Sequence, residues 1–295
     1  MKTKLGLFIF IFTSLAVFGS TKSDLFRACL SGETSKFFEI FQKEGLKTIF
    51  EKDQDGNTLL HLSCCSKKGG HKKELVKCLI DAGADVNATN KYGSTPLFIA
   101  LTNKNIEAVD LLVHSENINI NKTMNNKFTP LHVAILSESI PLVKLILSSP
   151  KINPNFGTPD GATPLHYAAM NGLIEESRIL ISDQRTDVNA QQHDPVYGGA
   201  TPLHFAAMQA QTEIVKLLLA TNNIDTNVQL QNGDYRGFSP VHFAVLNPDT
   251  PNVFSVIKEL INAGVPYNKP CASGKKPIDL TSVKIIQDLL RNPKK

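Results

Sequence analysis

A chain of 295 residues with 42% hydrophobic and 20% charged residues has the make-up of a folded soluble protein, and it carries no low-complexity block or charged tail beyond Lys294 and Lys295. Its formal charge of +4 falls to about +2 without Lys2 and Lys4, too little for a nucleic-acid footprint, so no nucleic-acid partner is expected. The lysines at 67, 68, 72 and 73, around Gly69 and Gly70, are read as a solvated loop.

Residues 1–19 form a separate object. Lys2 and Lys4 make a short positive region, Leu5 to Phe12 an apolar run, and Thr13 to Gly19 a stretch of smaller residues, which is the layout of a secretory signal peptide. Cleavage is expected after Gly19, with Val17 at the −3 position; Ala16, with Ser14 behind it, is the second choice. The apolar stretch from Leu5 to Phe18 falls short of the roughly 20 residues that span a bilayer, so no stable membrane anchor is expected after cleavage. Cys29 lies too far along the chain to be lipidated. The protein is therefore expected to be exported, to a periplasm or to the outside of the cell.

From Ser23 onward the chain repeats itself. SDLFRACLSGETSKFFEIFQKEG has a helix-loop-helix rhythm, and after it a phrase recurs: TLLHLSC at Thr58, TPLFIAL at Thr95, TPLHVAI at Thr129, TPLHYAA at Thr163, TPLHFAA at Thr201 and SPVHFAV at Ser239, with a degenerate copy at Lys276. The anchors are 37, 34, 34, 38, 38 and 37 residues apart. Thr or Ser can cap the first amides of a helix, Pro is tolerated at its first position, and Leu-His-x-Ala-Ala sets apolar side chains at helical spacing. Glycine in Asp81-Ala82-Gly83 and Asn262-Ala263-Gly264 ends a second helix. One such unit cannot bury its apolar face alone, so stability comes from stacking.

The phrase, its continuation in ELVKCLIDAGADVNATNKYGSTP and a period near 33 residues resemble the ankyrin-repeat family, and the likeness reaches from Ser23 to the C-terminus. The resemblance implies an all-α repeat solenoid, in which stacked helix-turn-helix units are joined by β-hairpin fingers. It divides 23–295, read as a single domain, into an N-terminal cap over 23–52, six repeats over 53–272 and a C-terminal cap over 273–295. Insertions fall between the helices at Ser66 to His71 and Asn247 to Asn252, and in two neighbouring fingers at Gln191 to Gly199 and Gln229 to Gly237. A functional role for the two long fingers is set against the ease with which surface loops lengthen.

His61, His132, His166, His204 and His242 sit in the repeated phrase, and the resemblance gives them a structural hydrogen-bonding role between repeats. Neighbouring copies should lie about 10 Å apart, too far to share a zinc ion. No nucleophile elbow, zinc-protease helix, dinucleotide fingerprint or phosphate loop is present, so no catalytic residue, metal or cofactor is expected and the chain is read as a non-enzyme. The five cysteines, Cys29, Cys64, Cys65, Cys78 and Cys271, look like small core residues; Cys64 or Cys65 with Cys78 is the one pairing worth testing.

The resemblance also locates the positions that the fold leaves free: finger tips, the residue before Thr-Pro, and the two residues after the Ala-Ala of each first helix, of which the first is followed here, along a concave face. Here these supply Tyr92, Tyr197 and Tyr235; Phe128 and Phe238; and Leu136, Met170, Met208 and Leu246. Methionine and aromatic side chains favour partner surfaces, so a protein partner is expected there, unless the fingers fold over the stripe and make it peripheral core. The expected function is a monomeric interaction module that inhibits or protects against a secreted enzyme in an immunity or guardian role. The alternative is a secreted effector that binds host proteins.

Overall fold

The structure, a computed structural model, describes residues 20–65 and 72–292. The expected signal peptide lies outside the described residues, as do the first repeat's insertion, Lys67 and Lys68. Among the described residues every regular element is a helix. The first unit carries α1 (Ser20–Ser31), α2 (Thr34–Glu44), α3 (Leu59–Ser63), α4 (Lys72–Asp81), α5 (Pro96–Thr102), α6 (Ile106–Val113), α7 (Pro130–Leu136) and α8 (Ile140–Ser148). The second carries α9 (Pro164–Asn171), α10 (Ile174–Ser182), α11 (Pro202–Met208), α12 (Thr212–Leu219), α13 (Pro240–Leu246), α14 (Val253–Asn262) and α15 (Lys284–Arg291). Short 3-10 turns precede the first repeat at Leu46–Phe50 and open the last segment at Pro277–Leu280. The boundary between the two compact units falls between Ile152 and Asn153.

Helices of five to ten residues are too short to stand alone, because nucleating a helix costs more than a few hydrogen bonds return. Within the first unit α1, α3, α5 and α7 pack in one row and α2, α4, α6 and α8 in a second. The second unit repeats the plan with α9, α11 and α13 backed by α10, α12 and α14. The repeated phrase explains each row. Thr129 takes extended backbone at the N-cap, Pro130 opens the helix, and Leu131, Ala134 and Ile135 are fully buried. At the other end of a repeat Gly83 adopts φ +87°, which lets Ala84 N–H reach back to the Leu79 carbonyl and closes α4.

The fingers contain no strand. Their bases close by a reciprocal pair instead: Gln192 N–H to Ala200 O at 2.9 Å with Gly199 N–H to Gln192 O at 2.8 Å, and Leu230 N–H to Phe238 O at 2.9 Å with Gly237 N–H to Leu230 O at 2.8 Å. The residues between coil into turns, so no ladder propagates.

One asparagine per finger ties it to the next. Asn155 Nδ2 donates to Arg185 O at 2.7 Å while its Oδ1 accepts from Asp187 N–H at 2.7 Å; Asn87 and Asn189 do the same with the segments at 117–119 and 223–225. Asn121 Nδ2 likewise donates to Lys151 O at 2.8 Å. Asn87-Ala88-Thr89 and Asn121-Lys122-Thr123 match the glycosylation acceptor pattern, and both asparagines use amides that already bridge neighbouring segments.

Candidate partner-binding face

The histidines of the repeated phrase form a relay of one design. In each, Nδ1 accepts from the backbone N–H of the capping Thr or Ser three residues earlier, at 3.1 to 3.3 Å, and lies against that residue's hydroxyl. An Nδ1 that accepts leaves the proton on Nε2, which then donates across to the next repeat: His61 to Ser94 O at 3.0 Å, His166 to Ala200 O at 3.1 Å and His242 to Lys275 O at 3.3 Å. Nε2 of His204 is buried without closing a hydrogen bond, although the Phe238 carbonyl still pulls the ring's pKa upward. Burial dominates at His61, His204 and His242, pressing the pKa of His61 and His242 down to about 4 and that of His204 to about 3. Through Nε2, His61, His166 and His242 bond one repeat to the next, the role the resemblance implied.

The two long fingers of the second unit lock into each other. Gln231 N–H donates to Gly198 O at 3.1 Å, and the rings of Tyr197 and Tyr235 stack at 5.4 Å with 9° between their planes. The pair lies over a buried cluster that includes Phe205, Phe238, Phe243 and Leu230. Tyr197 meets Phe205 edge-on at 5.7 Å, and Tyr235 meets Phe238 at 5.2 Å. Burial raises the Tyr197 hydroxyl's pKa above its ordinary value, with Tyr235 and Asp194 adding to the effect.

Gly233 makes this approach possible. It sits at φ +79°, and a Cβ there would stand 2.5 Å from Val196 O and 2.6 Å from Pro195 O, backbone atoms that cannot step aside. Gly233→Ala is expected to destabilise the second unit by about 2 kcal/mol, the sum of a left-handed backbone and a finger-finger clash. Denaturant unfolding followed by tyrosine fluorescence measures it; a change within about 0.5 kcal/mol would show that the fingers part freely.

The structure gathers six of the nine expected contact residues in one place. Met170, Tyr197, Met208, Tyr235 and Leu246 are half-buried and pack against the cluster of which Phe238 is a buried member. The stripe is thus neither a bare surface nor enclosed core: finger tyrosines cover part of it, and the ends of α9, α11 and α13 leave the methionine and leucine side chains partly open. Phe238, 8% exposed, presents only an edge. The other three belong to the first unit. Tyr92 is half-buried with Lys91 Nζ 5.0 Å from its ring centre, Leu136 is half-buried at the end of α7, and Phe128, 9% exposed, packs edge-on against His132 at 5.4 Å.

No disulfide joins Cys64 or Cys65 to Cys78, or forms at Cys29 or Cys271; Cys29 donates to Leu59 O at 3.2 Å from within the core. Among the described residues no group of three His, Cys, Asp or Glu side chains could hold a metal ion, and no helix is long and apolar enough to cross a membrane. Sequence reasoning missed an open groove of about 310 Å³ beside Tyr197, bordered by Tyr167, Met170 and Phe205 and carrying the polar side chains of Asp160, Gln192 and Asp194.

Comparison with known proteins agrees with this geometry. The family described as ankyrin repeats (3 copies) matches residues 25–124, 63–157, 116–192 and 178–271. The chain is 34% identical over 89 residues to the transient receptor potential cation channel subfamily A member 1 homolog of Caenorhabditis elegans, a match covering 30% of this chain and 7% of that protein. It is 35% identical over 71 residues to Rabankyrin-5 of Mus musculus, covering 24% of this chain and 6% of that protein. The matches therefore span a small fraction of these relatives' own length. Among solved structures, the crystal structure of the ankyrin repeat domain of Bcl-3, titled a unique member of the IkappaB protein family, superposes with a TM-score of 0.68 at 22% identity, over 81% of this chain and 100% of that one. At that identity the likeness shows the fold.

Proposed function

Since the chain belongs to the ankyrin-repeat family, whose repeats are protein–protein interaction modules, we propose that it is a non-enzymatic binder that grips one protein partner through the half-buried stripe and the long fingers of residues 153–292. The observation that carries this reading is the packing of Met170, Met208 and Leu246 beside stacked Tyr197 and Tyr235: adaptable and aromatic side chains, partly open, on a support made rigid by interlocked fingers. A support of that kind lowers the cost of ordering a binding surface.

The leader-like pattern of residues 1–19 supports export, and the proposed compartment is a periplasm or the cell exterior, where the mature chain acts as a monomer without a membrane anchor. In that setting the partner is a secreted enzyme, which the chain restrains or neutralises as a guardian or immunity protein.

Affinity capture from the protein's own extracytoplasmic fraction, with retained proteins identified by mass spectrometry, tests this reading. Met170 and Met208 pack against the cluster, so aspartate there would disturb folding as well as contact; Met170→Gln with Met208→Gln keeps the side-chain volume. The double variant is expected to melt nearly as the natural chain does, costing about 1 kcal/mol in total, and to lose about 2 kcal/mol or more of binding, roughly 30-fold. A secreted hydrolase retained by the natural chain alone is the expected result. Equal retention by both chains, or none by either while both are folded, would overturn the proposal.

A further inference from the structure

The groove beside Tyr197 has the chemistry of a receptor for one particular side chain. Its walls are aromatic and apolar, from Tyr167, Met170, Val196, Tyr197 and Phe205, and two carboxylates, Asp160 and Asp194, stand among them half-buried. Each carboxylate already accepts from its own turn: Asp160 Oδ1 from the Thr158 hydroxyl, Asp194 Oδ1 from the N–H groups of Val196 and Tyr197, both at 2.7 Å. Yet among the described residues neither meets a lysine or arginine within ion-pair distance. Their charge is felt inside the groove: burial raises the Tyr167 and Tyr197 hydroxyl pKa values, and Asp160 adds to the first as Asp194 does to the second.

A third polar group is independent of the carboxylates. Gln192, more than nine-tenths buried, also lines the groove, and its Oε1 has no hydrogen-bond partner. An acceptor buried without a donor is costly, and a donor entering the groove beside Gln192 would relieve that cost. The site therefore offers negative charge, an acceptor without a donor and flat ring faces, and no lysine or arginine lines it.

We propose that this groove receives an arginine side chain of the partner protein, its guanidinium lying against the tyrosine rings and donating to Asp160, Asp194 and the Gln192 amide oxygen. A guanidinium fits better than an ammonium because it is planar, spreads several donors over separated acceptors, stacks on aromatic rings and gives up water more readily. This assignment rests on the reading of the chain as a partner-binding module and names the chemistry of one contact within it.

The test uses the full chain labelled with 15N and titrated with N-acetyl-arginine-N-methylamide, beside the citrulline and lysine counterparts. Saturable shifts are expected at the amides from Gln192 to Tyr197 and at the Gln192 side chain, with the isosteric, uncharged citrulline binding about tenfold more weakly or worse. Asp160→Asn and Asp194→Asn keep the acceptors that the turns use, so melting should hold while arginine affinity falls about tenfold. Citrulline or lysine binding as well as arginine, or no saturable shift in this segment, overturns the assignment. The same two variants entered into the capture experiment separate the two ideas. A partner retained by the Asn variants but lost with the methionine substitutions overturns the arginine site and leaves the binding face standing. Loss with both sets supports the arginine site. Capture failing for the natural chain overturns the face, and the titration still decides the groove.

Discussion

Phe243→Ala is expected to cost about 3–5 kcal/mol of unfolding free energy, the range for truncating a buried aromatic core residue. Phe243 is 1% exposed and is met by four rings: Tyr235 at 5.3 Å, Phe238 at 5.4 Å, His204 at 5.8 Å and Tyr197 at 6.2 Å. Removing it opens a cavity under the stacked tyrosines that the interlocked fingers cannot collapse into, so the cavity cost adds to the lost burial. Phe254, 40% exposed on α14, is the control, and its alanine variant should stay within about 1 kcal/mol. The chain has no tryptophan, and of its five tyrosines Tyr167, Tyr197, Tyr235 and Tyr267 lie in the second unit, so tyrosine fluorescence in a denaturant titration reports that unit directly. A loss no larger than the control's would mean that the aromatic cluster is a loose cover, and the rigid support under the proposed face would go with it.

The helical plan was legible because each repeat writes it in local chemistry. Thr or Ser caps, Pro opens, Leu and Ala bury, Gly ends; these signals act within one turn of helix and need no partner to be read. The histidine relay was legible for the same reason, and Phe98, which replaces histidine in the second repeat and is 1% exposed, shows that the position is a buried one first. The strand content of the fingers was not legible, since pairing stops where turns begin and that depends on how the inserted residues coil.

The candidate site was half legible. Counting from Ala-Ala placed Met170, Met208 and Leu246 on one side of the row, but their degree of burial follows from where Tyr197 and Tyr235 land, and that follows from two equal insertions meeting across a repeat. The trace of this meeting in the sequence is glycine where the fingers touch, at Gly198 against the Asn232 side chain and at Gly233 against the backbone of Pro195 and Val196, a signal too common to read alone. Asp160, Gln192 and Asp194 come from two different fingers and carry no shared motif, so their convergence on one groove belongs to tertiary structure alone.

Stability is expected to fall as the pH drops below about 6.5, the ordinary histidine value. His61 and His242 hold pKa values of about 4 in the folded chain and His204 about 3, because burial penalises the charged ring. Geometry agrees: Nδ1 of each already accepts from a capping N–H, so a proton placed there would face a donor. Above pH 6.5 folded and unfolded chains both keep these rings neutral, and the full contribution is present. Between about 6.5 and the folded values the unfolded chain takes up protons that the folded chain refuses, so stability is lost; below them the loss levels off. Each ring contributes a slope of at most about 1.4 kcal/mol per pH unit, and the three together about 4. Asp183, whose carboxyl Arg185 holds below its ordinary pKa, works in the same direction but only near the carboxylate range, so the fall between pH 6.5 and 5 belongs to the histidines. His204→Phe imitates the second repeat's Phe98 and removes one titrating ring; denaturation midpoints from pH 7.5 to 4.5 should then show a slope reduced by about 1.4 kcal/mol per pH unit. An unchanged slope would place the acid sensitivity outside His204 and overturn the account of its burial as the cause.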